Sequence, residues 1–141
     1  MSFLHWEKPI SNPRRMGSIG RGGVSSPYRW LSLAVGGLLT GLGAYLSLRW
    51  WIFWNRSYRG QLLTQGPYAG VRHPFYSAFL ILAIGLVIIF PIYETVMLAS
   101  ISIVVILFYV GREEEALIAR YGKAYREYMR RVPWKLIPRL Y

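Results

Sequence analysis

Two long runs without a charged residue, 75–93 and 95–110, set the first limit on this chain. A third stretch, 30–52, is nearly as apolar and carries a single charge, Arg49. Runs of this kind suit helices crossing a hydrocarbon core of about 30 Å at 1.5 Å per residue, because only a helix satisfies its own backbone there. Pro91, near the end of the first run, and Glu94, between the two, predict a tight turn. Hydrophobic residues make up 54% of the chain against 16% charged, too apolar a balance for an ordinary soluble domain. The expected fold is an all-α integral membrane protein with about three transmembrane helices. Its C-terminal helical hairpin should run into an amphipathic helix on the cytosolic side.

At 141 residues the length fits one domain. Residues 1–29 are polar and irregular, with Pro9, Pro13 and a glycine-rich run, and read as a surface arm rather than a secretory signal. Residues 30–141 form the membrane domain, with the informative motifs at 61–138. Gly36, Gly37, Gly41 and Gly43 offer small faces for close helix approach. Arg49-Trp50-Trp51 and Trp54 mark the exit of this helix into an interface, and 55–60 reads as a basic linker. From Glu113 onward Leu117, Tyr121, Ala124, Tyr125 and Tyr128 share one face of a single continuing helix.

The net charge of +11 would suggest nucleic acid in a soluble chain. Here the basic residues flank apolar spans, so anionic lipid headgroups are the expected partner and nucleic acid is not. The hairpin tip carries only Glu94 between basic flanks, which predicts the C-terminal flank in the cytosol. No cysteine is present, and His5 and His73 are the only histidines, so no metal site is expected.

Chemistry concentrates in Leu63-Thr64-Gln65-Gly66-Pro67-Tyr68 and Arg72-His73-Pro74-Phe75-Tyr76. Pro74 suits the first position of a helix, which puts Arg72 and His73 at the positive end of its dipole, a ready anion site. A hairpin returns Arg112-Glu113-Glu114-Glu115 to the same side. Counting from Leu117 places Glu113 on the inward face, Glu115 away from it and Glu114 between. A buried carboxylate there needs a cation: either Arg72 or His73 in a structural pair, or a ligand ammonium. Tyr68 and Tyr76 add aromatic faces for a flat base or a cation. No serine or threonine stands beside a histidine–carboxylate pair, so no catalytic nucleophile is identified.

Taken in order, these motifs, with Glu113-Glu114, Tyr121-Gly122, Tyr125, Tyr128 and Val132-Pro133, resemble the isoprenylcysteine carboxyl methyltransferase and phospholipid methyltransferase superfamily of integral-membrane enzymes. The resemblance implies S-adenosyl-L-methionine as cofactor, bound on the cytosolic side by Leu63, Tyr68, His73, Pro74, Tyr76 and Glu113, with Glu113 meeting the cofactor's amino group. It implies methyl transfer to a lipid or lipidated acceptor from the bilayer, a prenylcysteine carboxylate or a phospholipid amine. The position matching the family's substrate-carboxylate arginine is Tyr109, and Arg112 is the nearby candidate for substrate binding. Sterol-reductase-type membrane enzymes have a similar C-terminal pattern, which makes a nicotinamide-dependent reductase the alternative activity. A non-enzymatic membrane protein is the other alternative.

Overall fold

The computed structural model describes residues 27–141, and every regular element among them is helical. Most of the arm expected at 1–29 lies outside the described residues, and its last three residues already belong to the first helix. Helix α1, Pro27–Ser57, is 31 residues long, so it extends beyond 30–52 at both ends and absorbs part of the expected linker. A 3₁₀ turn, Gly66–Ala69, leads to α2, Pro74–Ile89. Phe90-Pro91-Ile92 separates α2 from α3, Tyr93–Tyr121. Glu94 falls inside the first turn of α3, where a carboxylate suits the helix dipole.

Two of these helices, α1 and α3, are long and apolar enough to cross a membrane. Only 11% of the apolar window of each is buried inside the protein, which separates them from the core helices of a soluble domain. Leu38, Leu98, Val104 and Phe108 all project outward from these helices. Helix α2 is apolar but has 16 residues, or roughly 24 Å at 1.5 Å per residue, so it falls short of the hydrocarbon thickness on its own.

Helices α1 and α2 make the main interface, and two of the four glycines carry it from the α1 side. A Cβ on Gly43 would fall 2.5 Å from the backbone nitrogen of Leu82, and one on Gly36 would fall 2.9 Å from the carbonyl of Gly85. On α2, Gly85 packs equally closely against Thr40. Gly37 and Gly41 face open space instead. Of the four glycines, only 36 and 43, seven residues apart, lie with Thr40 on the stripe that meets α2.

The helix expected to run on from Glu113 is broken in two. Gly122 ends α3 with φ 53°, ψ −119°, a backbone state open to glycine, and α4, Lys123–Arg131, starts anew. Tyr125 and Tyr128 of α4 are buried against the 3₁₀ turn and α3, together with Val132, while Ala124 is exposed. The tail after α4 returns to the start of α2. Arg72 N–H donates to Trp134 O and His73 N–H to Lys135 O, each at 2.9 Å. Ser77 Oγ donates to Leu136 O at 2.6 Å. The tail is thereby held against the first turn of α2 by both backbone and side chain.

Candidate active site

Pro74 occupies the first turn of α2, where its missing N–H breaks no helical bond, and His73 is the N-cap residue. The backbone N–H groups of Arg72 and His73 are taken by the tail, so they cannot serve an anion. The dipole end still presents the N–H groups of Phe75 and Tyr76, which have no acceptor within the helix.

Opposite this helix start stands the C-terminal part of α3. Glu114 is its buried carboxylate, 6% exposed, whereas Glu113 and Glu115 are exposed. The inward position expected for Glu113 therefore belongs to its neighbour. The stripe that is buried runs Ile106, Val110, Glu114, spaced four residues apart. Leu117 and Tyr121, from which the phase was counted, are only half-buried.

Glu114 is met by three cationic or hydrogen-bonding side chains. Arg72 Nε donates to Oε1 at 2.7 Å, His73 Nε2 lies 3.3 Å from the same oxygen, and Lys135 Nζ lies 3.4 Å from Oε2. Arg72 Nη1 also donates to the carbonyls of Val132 and Pro133 at 3.0 and 2.9 Å. Arg72 and Glu114 thus form a buried structural pair, and Arg72 also borders the cavity beside it.

Beside this cluster lies a cavity of about 300 Å³. Leu63, Tyr68, His73, Pro74, Tyr76 and Glu113 all line it. Glu113 keeps its carboxylate in the cavity, with Oε2 3.8 Å from His73 Nδ1 and a side-chain contact to Tyr76. His73 therefore sits between two carboxylates, one structural and one facing the cavity. Arg112 is exposed, with its guanidinium over the Phe108 ring at 5.6 Å, and is absent from the cavity wall.

One wall comes from α1, which carried no expected site residue. Trp50 and Trp54 stack along it and Tyr58, the residue just after the helix, continues the stack, with Trp54 and Tyr58 ring centroids 4.2 Å apart and nearly parallel. Trp50 Nε1 donates to the Tyr68 hydroxyl at 2.9 Å, which fixes that phenol in the wall. The Tyr128 hydroxyl donates to Tyr68 O at 2.7 Å and locks the 3₁₀ turn onto α4. Burial pushes the Tyr68 phenol up to about 12 and raises Tyr125 and Tyr128 well above the ordinary range, so all three stay neutral. The four-residue spacing of Trp50, Trp54 and Tyr58, the last just past the end of α1, was the available signal for this wall.

Residues 37–119, more than half of the chain, match the isoprenylcysteine carboxyl methyltransferase family. The chain belongs to that family. The match begins inside α1 and ends before Gly122, so it includes the aromatic wall, the helix start at Pro74 and both Glu113 and Glu114. A delta(14)-sterol reductase from Mus musculus is 32% identical over 87 residues, which cover 57% of this chain and 20% of that protein. The chain therefore spans about a fifth of the length of this curated relative. No solved structure matches it. Family membership and two long, outward-facing apolar helices together make this a membrane protein.

Proposed function

We propose that this protein is an S-adenosyl-L-methionine-dependent methyltransferase acting on a lipophilic acceptor at the membrane. The observation that carries the proposal is the convergence of Leu63, Tyr68, His73, Pro74, Tyr76 and Glu113 on one cavity beside the start of α2. The donor set fits the cofactor's methionine end, which bears one charge of each sign. Glu113 would hold the ammonium, and the N–H groups at the start of α2 would hold the carboxylate. The aromatic wall of Trp50, Trp54 and Tyr68 suits both a flat base and a sulfonium. When bound, the cofactor supplies an electrophilic methyl group. This chain's own residues orient it and exclude water, and an acceptor that is already a carboxylate needs no base. The acceptor class is a prenylcysteine carboxylate or a phospholipid amine.

In the same reading α2 is a third crossing alongside α1, the cavity opens on the cytosolic side, and basic flanks such as Arg56 and Arg59 meet anionic headgroups. Calorimetry in a lipid environment tests the cofactor: S-adenosylhomocysteine should bind, and His73→Ala should weaken it. No binding by the wild-type protein overturns the proposal. The sterol-reductase relative supports a second reading, a reductase using a nicotinamide cofactor. Under that reading the reduced nicotinamide dinucleotide binds in the same titration and S-adenosylhomocysteine does not.

A further inference from the structure

A second cavity, of about 780 Å³, shares only Pro74 with the first among its lining residues. Its walls are almost wholly apolar, built from Ala78, Ile81 and Ile84 of α2, Ile103 and Leu107 of α3, and Leu136 of the tail. Ser77 also borders it, but its hydroxyl is already bonded to the Leu136 and His73 carbonyls. Arg49 of α1 is the one charged residue of the lining. Arg49 makes no hydrogen bond or ion pair with another of the described residues, in contrast to Arg72, whose guanidinium has three acceptors.

Arg49 is exposed, and a guanidinium with no partner among the described residues, at the edge of a hydrocarbon-lined space between membrane helices, favours an anion beside it. We propose that this cavity holds one hydrocarbon chain of an anionic bilayer lipid, with the lipid's phosphodiester head group paired to Arg49. The apolar walls accept any chain, since lipid tails are as apolar as the side chains they would replace. Selectivity therefore rests on charge, through one arginine. A basic residue near an anionic membrane surface contributes about 1 kcal/mol, or roughly a fivefold preference. The site is separate from the cofactor cavity, so lipid and S-adenosylhomocysteine should bind together. The inference does not depend on the methyltransferase reading, because lipid association is measured without cofactor.

The test uses the full chain reconstituted in phosphatidylcholine vesicles with spin-labelled phosphatidylglycerol or phosphatidylcholine of equal chain length. Phosphatidylglycerol should be preferred by about fivefold. Arg49→Gln should remove most of that preference, while Arg49→Lys should keep most of it. Ile84→Trp, which fills the cavity, should reduce the motionally restricted fraction of both lipids. Saturating S-adenosylhomocysteine should change nothing. Undiminished selectivity in Arg49→Gln, no effect of Ile84→Trp, or displacement of the lipid by S-adenosylhomocysteine would each overturn the proposal.

Discussion

Arg72 Nε donates to Glu114 Oε1 across 2.7 Å, and the two residues, both 6% exposed, join the start of α2 to the end of α3. Because Arg72 also holds the Val132 and Pro133 carbonyls, the pair fixes the tail as well. Removing one partner of a buried ion pair leaves an uncompensated charge and costs about 3–5 kcal/mol. Glu114→Ala should therefore lower stability by an amount in that range, measured by denaturant unfolding in detergent. Glu115→Ala, at an exposed position, should change it by less than about 0.5 kcal/mol. Equal losses in the two variants would show that the pair does not hold the fold.

Adjacent glutamates should separate by readout. Glu113 faces the candidate cofactor cavity and Glu114 faces Arg72. Loss of a charge-assisted contact corresponds to about tenfold in affinity at its lower end, which suits a carboxylate that is 46% exposed. Glu113→Gln should weaken S-adenosylhomocysteine binding by about that factor and leave the unfolding midpoint unchanged. Glu114→Gln should shift the midpoint first. If Glu113→Gln binds as well as the wild type, the carboxylate does not hold the ligand's ammonium.

The glycines of α1 allow a similar division. Gly43→Ala would drive a Cβ to 2.5 Å from the Leu82 backbone nitrogen, and backbone cannot rotate aside. Overpacking of this kind costs about 1–3 kcal/mol. Gly37→Ala meets nothing within 4 Å and replaces a weak helix former with a strong one, so it should be neutral or stabilising by up to about 1 kcal/mol. A thermal shift of the same sign and size in both variants would contradict the α1–α2 packing.

Much of this architecture was legible before the coordinates. The charge-free runs locate α2 and α3, Pro74 starts a helix as its ring requires, and the Arg72–His73 pair does face the glutamate cluster. Phase was harder to read. Whether Glu113 or Glu114 is the buried carboxylate turns on one residue, about 100° of rotation: counting from Leu117 found the face that lines the cavity with Glu113 and Tyr121, not the buried stripe of Ile106, Val110 and Glu114. Gly36 and Gly37 are alike in sequence and differ only in which one meets a neighbour whose position is a tertiary fact. The return of the tail to Arg72 rests on backbone carbonyls of residues 132–135, and carbonyls carry no sequence signature. Gly122 was visible but ambiguous, since glycine occurs inside helices as well as between them.

Buried phenols make the stability of this protein sensitive to alkali. In the folded chain burial raises Tyr68 to about 12, and burial pushes Tyr125 and Tyr128 higher still. In the unfolded chain all three titrate near the ordinary phenol value of about 10. Their folded values lie above their unfolded ones, so the folded state retains protons that the unfolded state releases. Stability is then independent of these groups below about pH 10 and falls as pH rises toward 12, because ionisation favours the unfolded chain. The denaturation midpoint should hold steady between pH 8 and 9.5 and drop clearly by pH 11. Tyrosinate absorbance should report the cause: part of the signal from the eleven tyrosines should appear only on unfolding at pH 11. Tyr128→Phe removes one such proton and the bond to Tyr68 O. It should lower stability at pH 8 by about 1 kcal/mol and make the alkaline decline shallower. A wild-type midpoint that stays flat to pH 11.5, with all tyrosines titrating in the folded protein, would mean that these phenols are open to solvent.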